Sequence, residues 1–151
     1  MCKNKKLIVV NSARSWLGTK FCHQGRIKKT LSHTGAVDCL GLLIGVAQEE
    51  KLTCKNGVLL EKFDEKDYPL ITKTDYLSKT LDKLLIQKNL KDLDIADLIL
   101  FKFNDCPDHL AIVTTLNPTR IIHAYIQARK VSEHYLSDNF KHHIYKVYSL
   151  I

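Results

Sequence analysis

The sequence of 151 residues contains no uninterrupted apolar stretch of the roughly 18 residues that a transmembrane helix requires. The apolar run 7–10 near the N-terminus is too short for a signal peptide and is soon followed by Arg14. With only six glycines and three prolines, the chain also lacks low-complexity linkers. We therefore expect no membrane span, and synthesis in the cytoplasm without a signal peptide.

Acidic residues are absent from the first 37 positions, which carry eight Lys or Arg. The other 15 basic and 16 acidic residues nearly cancel, so the net charge of +7 belongs to the N-terminal quarter. Such a segment can contact an anionic partner such as a bacterial cell wall, or simply remain solvated. No set of interleaved aromatic side chains accompanies the charge, so nucleic-acid binding is not predicted.

The five cysteines form neither an even set nor the close spacing that marks a disulfide framework. Because no export signal is evident, we expect free thiols. The composition, 45% apolar and 26% charged, is that of an ordinary globular protein. The length suits one domain that spans residues 1–151.

Hydrophobic periodicity predicts helices first and strands after them, which is an α+β fold. Helices are expected over 5–17 with Asn4 as the cap, over 38–51 with Asp38 as the cap, and from Thr74 or Asp75 to residue 88. Alternating patterns predict about five strands, at 97–103, 109–115, 120–128, 130–135 and 142–150. The connections between them are too short for crossover helices, so the sheet should be antiparallel.

Cys39 lies at the start of the most apolar of these helices, directly after Asp38. A helix N-terminus presents unpaired N–H groups and the positive end of the helix dipole, which lower the pKa of a thiol and favour the nucleophilic thiolate. The same N–H groups can bind an oxyanion. Taken alone, the position also suits a small buried hydrophobe. Cys39 is therefore a candidate nucleophile that requires a nearby imidazole.

Two of the seven histidines lie where strands could bring them together. His109 opens the second predicted strand and His123 lies inside the third. If the numbers of opposed residues sum to 234, His123 is a diagonal neighbour of His109 on the same face, about 7–8 Å away. A register that differs by one residue would separate them. The surface is the expected location of His33, His134, His142 and His143.

A metal site built from Cys106, His109 and His123 is the competing interpretation of the same region. No fourth ligand is evident, and the spacing matches no strong zinc pattern. We rank this interpretation below the thiol nucleophile.

Five segments, in their order along the chain, resemble the NlpC-type cysteine peptidases: 16–26, 37–42, 96–101, 109–113 and 121–124. They include the Asp38-Cys39 helix start and both candidate histidines. More narrowly, they resemble the branch of phage or gene-transfer-agent cell-wall peptidases. The resemblance covers nearly the whole chain, from about residue 10 to residue 135.

The resemblance implies a papain-like NlpC-type fold, with the cysteine helix packed on an antiparallel sheet. It implies cleavage of peptidoglycan stem peptides, typically between D-glutamate and diaminopimelate, at the bacterial cell wall. The roles that it implies are Cys39 as nucleophile, His109 as general base and His123 as the residue that orients His109. No metal or other cofactor is implied, and the partners would be the cell wall and the proteins of a phage-like particle.

The resemblance also assigns substrate-binding positions, namely Phe21, His23, Gln24 and Asp38. The sequence departs from the family pattern at three places. Leu40 stands where Ser is usual, Phe21 where Tyr is common, and Ala96 where Gly precedes the strand. Two alternatives stay open: a catalytically weak or inactive particle component, and an amidase or acyltransferase that uses the same three residues on a non-wall substrate.

Overall fold

The computed structural model describes residues 2–65, 67–70 and 74–151, without the side chain of Cys2. The α-helices in these ranges are Cys2–Arg14 (α1), Cys39–Glu50 (α2), Tyr76–Leu84 (α3) and Asp138–His142 (α4). Short 3₁₀ turns occur at Leu60–Phe63 and Leu90–Asp92. The strands are Arg26–Ile27 (β1), Ala36–Val37 (β2), Ile86–Lys88 (β3), Asp97–Phe101 (β4), His109–Thr115 (β5), Arg120–Tyr125 (β6), Lys130–Tyr135 (β7) and Ile144–Ser149 (β8).

Six of the strands form one sheet in the order β3-β8-β4-β5-β6-β7, and every neighbouring pair in it is antiparallel. β1 and β2 form a separate antiparallel pair. Helices α1 and α2 pack on one face of the sheet, where their apolar side chains join Leu98, Leu110 and Ile122. The opposite face is covered by Leu136 and by Phe140 of α4. The predicted α+β class and the antiparallel sheet are therefore confirmed.

Several element boundaries differ from the prediction, and three of the differences change a helix cap, a helix end or the number of helices. Helix α1 begins at Cys2, so Asn4 is not its cap. Helix α3 ends at Leu84, although the helical pattern continues, because the next residues pair with the end of β8, as Ile86 does with Ser149. The segment before β8 contains α4, whose cap is Ser137, since its hydroxyl accepts a hydrogen bond from the Phe140 N–H at 3.3 Å. Short helices such as α4 carry too few turns to show a clear periodicity.

Ala96 adopts a left-handed backbone conformation, with φ of 66°, immediately before β4. This conformation costs a residue with a Cβ roughly 1–2 kcal/mol, which accounts for the glycine in the family pattern. Ala96 is nevertheless buried, and its N–H donates to the Val113 carbonyl at 2.8 Å. The backbone conformation at the start of β4 is thus maintained with alanine at position 96.

None of the helices in the described part of the chain combines the length and the apolar character needed to cross a membrane.

Candidate active site

The start of α2 is held by the carboxylate of Asp38. This residue has extended backbone angles, and its side chain accepts a hydrogen bond from the Gly41 N–H at 2.8 Å, as expected of an N-cap. A Cβ on Gly41 would lie 2.2 Å from the Gly25 carbonyl oxygen, so the absence of a side chain lets the preceding loop contact the helix. The predicted helix start, with Cys39 as its first residue, is confirmed.

Both carboxylate oxygens of Asp38 also bind groups outside the helix. Besides Gly41, the carboxylate accepts from the Gln24 N–H at 2.8 Å, from Arg26 Nη1 at 3.1 Å and from the Tyr68 hydroxyl. Arg26 in turn donates to Asp64 at 3.0 Å. With four donors and only 5% exposure, Asp38 orients the site and has little capacity left for a substrate.

Cys39 opens into a cleft with a volume of about 670 Å³ that also reaches Phe21, His23, Tyr68 and His109. The thiol lies 3.7 Å from the Asp108 carbonyl oxygen, to which it can donate. Asp108 directly precedes His109, so the sulfur lies beside the strand that carries the candidate base. The side chain is half-buried, which leaves it reachable from the cleft.

The protonation of Cys39 differs from the prediction. Burial among protein atoms raises the pKa of the thiol to about 12, and the negative charge of Asp38 acts in the same direction. The backbone N–H groups of Leu110 and Leu40 oppose this shift but do not outweigh it. The expectation of a lowered pKa is therefore wrong for the unliganded site. The free-energy cost of desolvating the thiolate exceeds the stabilisation that the helix N-terminus provides.

This raised pKa predicts the alkylation behaviour of Cys39. In a variant with Cys2, Cys22, Cys54 and Cys106 changed to Ser or Ala, the rate of reaction with iodoacetamide should rise about tenfold per pH unit between about pH 6 and 9, without a plateau. The measurement is the mass of the modified protein against time at each pH. A plateau below pH 8 would contradict the raised pKa, since it would indicate a thiolate already formed near neutrality.

His109 and His123 contact each other directly. Nε2 of His109 lies 2.6 Å from Nδ1 of His123. The predicted register is confirmed, because Ile112 pairs with Ile122 and Val113 with Ile121. Burial lowers the pKa of His109 to about 4 and that of His123 to about 2, and nearby histidines act in the same direction. Both rings are neutral near pH 7, so the resting site holds a neutral thiol and neutral imidazoles.

The second ring nitrogen of His123 is bound by a histidine that the sequence analysis expects on the surface. Nε2 of His123 lies 2.7 Å from Nε2 of His134, and His134 is half-buried. The signal that could have found it is the short turn between β6 and β7. That turn opposes His123 to Ser132, and His134 is then a diagonal neighbour on the same face.

Of the four predicted substrate-binding residues, Phe21, His23 and Asp38 line the cleft. His23 Nε2 lies 2.8 Å from the Tyr68 carbonyl oxygen, and the Gln24 amide donates to the same oxygen at 2.8 Å. Gln24 is not among the described residues that line the cleft, so its side chain positions the segment around Tyr68.

Tyr68 was missed by the sequence analysis. Its hydroxyl donates to Asp38, its ring lies edge-on to His23 at 5.2 Å between centroids, and burial together with Asp38 raises its pKa. It supplies a tyrosine hydroxyl near the site, whereas Phe21 lacks one. No local signal could have identified it, because it lies 30 residues from Asp38 in sequence.

The competing metal site receives no geometric support. Among the residues that the structure describes, no group of three or more His, Cys, Asp or Glu could hold a metal ion. The facing nitrogens of His109 and His123 are only 2.6 Å apart, whereas a metal between them would need about 2 Å to each. Cys22, Cys39, Cys54 and Cys106, the cysteines whose side chains are described, are free thiols.

Comparison with solved structures identifies similar folds. The chain resembles an NlpC/P60 family protein from Bacillus cereus, with a TM-score of 0.65 and 15% identity over 94% of this chain and 39% of that one. It resembles the NlpC/p60 domain of the peptidoglycan hydrolase SagA, with a TM-score of 0.61 and 14% identity over 95% and 97% of the two chains. A third match is the P60 domain of an antigen from M. avium subspecies paratuberculosis, with a TM-score of 0.60 and 16% identity over 99% and 96%.

At these identities the matches establish the NlpC/P60 fold, which the sequence analysis predicted. The chain spans well under half the length of the first of these proteins and nearly the whole of the other two domains. No family model matches the sequence, and the search of curated proteins found no match.

Proposed function

We propose that this protein is a cysteine peptidase that hydrolyses amide bonds in the stem peptides of bacterial peptidoglycan. The observation that carries the proposal is the shared cleft of Cys39 and His109, with His123 hydrogen-bonded behind His109. The NlpC/P60 fold supports it, since one protein with this fold is a peptidoglycan hydrolase. The narrower proposal for the cleaved bond, between D-glutamate and diaminopimelate, rests on the sequence resemblance.

The first half of the reaction forms an acyl-enzyme on Cys39. His109 takes the thiol proton while the sulfur attacks the carbonyl carbon of the amide, and the carbonyl oxygen becomes an oxyanion. The oxyanion then re-forms the carbonyl, the C–N bond breaks, and His109 returns the proton to the departing amine. Because burial raises the pKa of the thiol and lowers that of the imidazole, transfer of the thiol proton to His109 is part of the activation of Cys39.

The second half releases the product with water. His109 takes a proton from the water as its oxygen attacks the thioester, and the thiol of Cys39 recovers a proton as the C–S bond breaks. The N–H of Gly41 is bound to Asp38, so the donors proposed for the oxyanion are the earlier amides of the first turn. In both halves His123 holds the His109 ring and stabilises its charged form.

Phe21, His23 and Tyr68 form the wall of the cleft that would receive the stem peptide. Asp38 and Gln24 would act indirectly, by holding this wall in place, because their polar groups are hydrogen-bonded to other groups of the protein. The net charge of +7 favours contact with an anionic cell wall. Membership of a phage-like particle rests on the sequence resemblance alone and stays a prediction.

A second candidate is an amidase or acyltransferase that acts on a substrate with an apolar acyl group. The observation that favours it is the apolar wall of the same cleft between α2 and α3, formed by Leu40, Leu43, Ile44, Leu60, Leu77, Leu81 and Leu84. Leu40, which stands where the family pattern has Ser, belongs to this wall. An aliphatic chain would fit it better than a charged stem peptide does.

The test is incubation of the purified protein with peptidoglycan and, separately, with synthetic stem peptides and aliphatic acyl amides. The products are identified by mass. We expect a stem peptide cut at one amide bond, with the activity lost after alkylation and unchanged by a chelator. Cleavage of the acyl amides alone would support the second candidate, and no cleavage of either would contradict both.

A further inference from the structure

Three imidazoles form a continuous row across strands β5, β6 and β7, on the face of the sheet opposite α1 and α2. Nε2 of His109 lies 2.6 Å from Nδ1 of His123, and Nε2 of His123 lies 2.7 Å from Nε2 of His134. The row ends at Nδ1 of His134, which lies 2.8 Å from the Tyr135 carbonyl oxygen. The sequence resemblance accounts for the first two rings and assigns nothing to the third.

The far end of the row determines where the protons lie. A carbonyl oxygen can only accept, so Nδ1 of His134 must carry the proton and donate to Tyr135. In the neutral form with this proton, His134 has its lone pair on Nε2, and the facing Nε2 of His123 must donate to it. The lone pair of His123 is thereby placed on Nδ1, so Nε2 of His109 must donate in turn.

This direction of hydrogen bonds leaves the His109 lone pair on Nδ1, the one ring nitrogen that is not bound to His123. An imidazole can act as a base only through a nitrogen with a free lone pair. If every hydrogen bond in the row were reversed, Nδ1 of His109 would carry the proton. The lone pair of His109 would then be on Nε2, facing His123. A base in the reversed tautomer could not accept the thiol proton of Cys39.

His123 cannot select the correct direction alone. Its ring is fully buried, stacked on Tyr125 at 4.8 Å and edge-on to Phe140 at 5.5 Å between centroids. Such packing holds the plane of the ring but does not distinguish its two neutral tautomers. The acceptor that distinguishes them is Nε2 of His134, which itself is oriented by a backbone carbonyl.

We propose that His134 is a positioning residue that sets the tautomers of His123 and His109 and so keeps the lone pair of the base on Nδ1. The catalytic part of this inference rests on the function proposed above, whereas the tautomers can be observed without turnover. His134→Gln preserves the arrangement, because an amide oxygen can accept from His123 while its NH₂ group donates to Tyr135. His134→Leu removes the acceptor.

The direct test is ¹⁵N NMR of the imidazoles in histidine-labelled protein at pH 8, above the ordinary titration range of imidazoles. In the wild type, His109 and His123 should each show a protonated Nε2 and an unprotonated Nδ1. His134→Gln should keep this pattern, and His134→Leu should give a mixture of both tautomers. A protonated Nδ1 on His109 in the wild type, or an unchanged pattern in His134→Leu, would overturn the inference. The wild-type spectrum is decisive by itself if the Leu variant does not fold.

The kinetic test uses stem-peptide cleavage. For His134→Leu we expect kcat to fall about 10- to 100-fold, by analogy with the loss seen when the hydrogen-bond partner of a metal-ligating histidine is removed, while KM stays nearly constant. His134→Gln should recover most of the loss. The matched control is His142→Leu, a change at an exposed histidine outside the row, which should leave kcat unchanged. Wild-type kcat in His134→Leu would contradict the positioning role.

The two tests separate this inference from the proposed function. If the wild type cleaves no substrate but shows the expected tautomers, the proposed function fails and the assignment of the row stands. If it cleaves stem peptides with His109 protonated on Nδ1, the function stands and the role of His134 fails.

Discussion

Cys39→Ala is expected to reduce the rate of stem-peptide cleavage by about a thousandfold or more. The proposed reaction needs a sulfur that forms a covalent acyl intermediate, and an alanine methyl group cannot form one. The thiol makes weak contacts with backbone groups, such as the Asp108 carbonyl at 3.7 Å and the N–H groups of Leu110 and Leu40, so its loss should have little effect on folding. The measurement is product formation by mass, with the thermal midpoint of unfolding recorded in parallel.

The matched control is Cys22→Ala. Cys22 is exposed, and its thiol contacts only the carbonyl of the next residue at 3.7 Å among the interactions described. This variant should cleave at the wild-type rate. Equal cleavage by Cys39→Ala and the wild type would remove the basis of the thiol mechanism, while a loss in both variants would point to damage of the fold.

Gly45→Ala should lower the free energy of unfolding by about 1–3 kcal/mol, the range seen when a packed core is overfilled. In an open helix the same change would stabilise by about 1 kcal/mol, because alanine is the better helix former. Here a Cβ would lie 2.1 Å from Cζ2 and 2.4 Å from Cη2 of Trp16. The indole cannot shift easily, since it is 4% exposed and its Nε1 donates to Glu49 at 2.7 Å. Denaturant unfolding measures the difference.

A double-mutant cycle with Trp16→Phe isolates the clash. Phenylalanine lacks the outer ring atoms that meet the new methyl group, so Gly45→Ala should cost much less in the Trp16→Phe background than in the wild type. Gln48→Ala, at an exposed position of the same helix, should change stability by less than about 0.5 kcal/mol. Additive effects of the two core changes would contradict the proposed contact between Gly45 and Trp16.

The part of the site that could be predicted depends on short-range patterns. Asp38 was predicted to cap α2 because a carboxylate before an apolar run is a local signal, and the structure has that cap. The facing of His109 and His123 followed from the length of one hairpin connection and the two-residue period of strands. Residues 130–135 were predicted as a strand, and β7 has the same bounds.

The errors occur where a distant partner outweighs a local pattern. The helical pattern continues past Leu84, but pairing with β8 converts Ile86–Lys88 into an edge strand. His134 was placed on the surface because nothing near it in sequence requires burial, although it faces His123 across the sheet. These positions depend on which strands become neighbours, and the sequence pattern of one strand does not contain that information.

The sequence by itself determined the α+β order, the antiparallel sheet, the helix that begins at Cys39 and the register that joins His109 to His123. Caps, periodicity and hairpin lengths act within a few residues, and so they can be read along the chain. Only the tertiary structure decided that Tyr68 meets Asp38, that His134 ends the row of imidazoles and that burial raises the pKa of the Cys39 thiol. Those properties arise from burial and from contacts between residues far apart in the chain, which exist only once the sheet and the helices have packed.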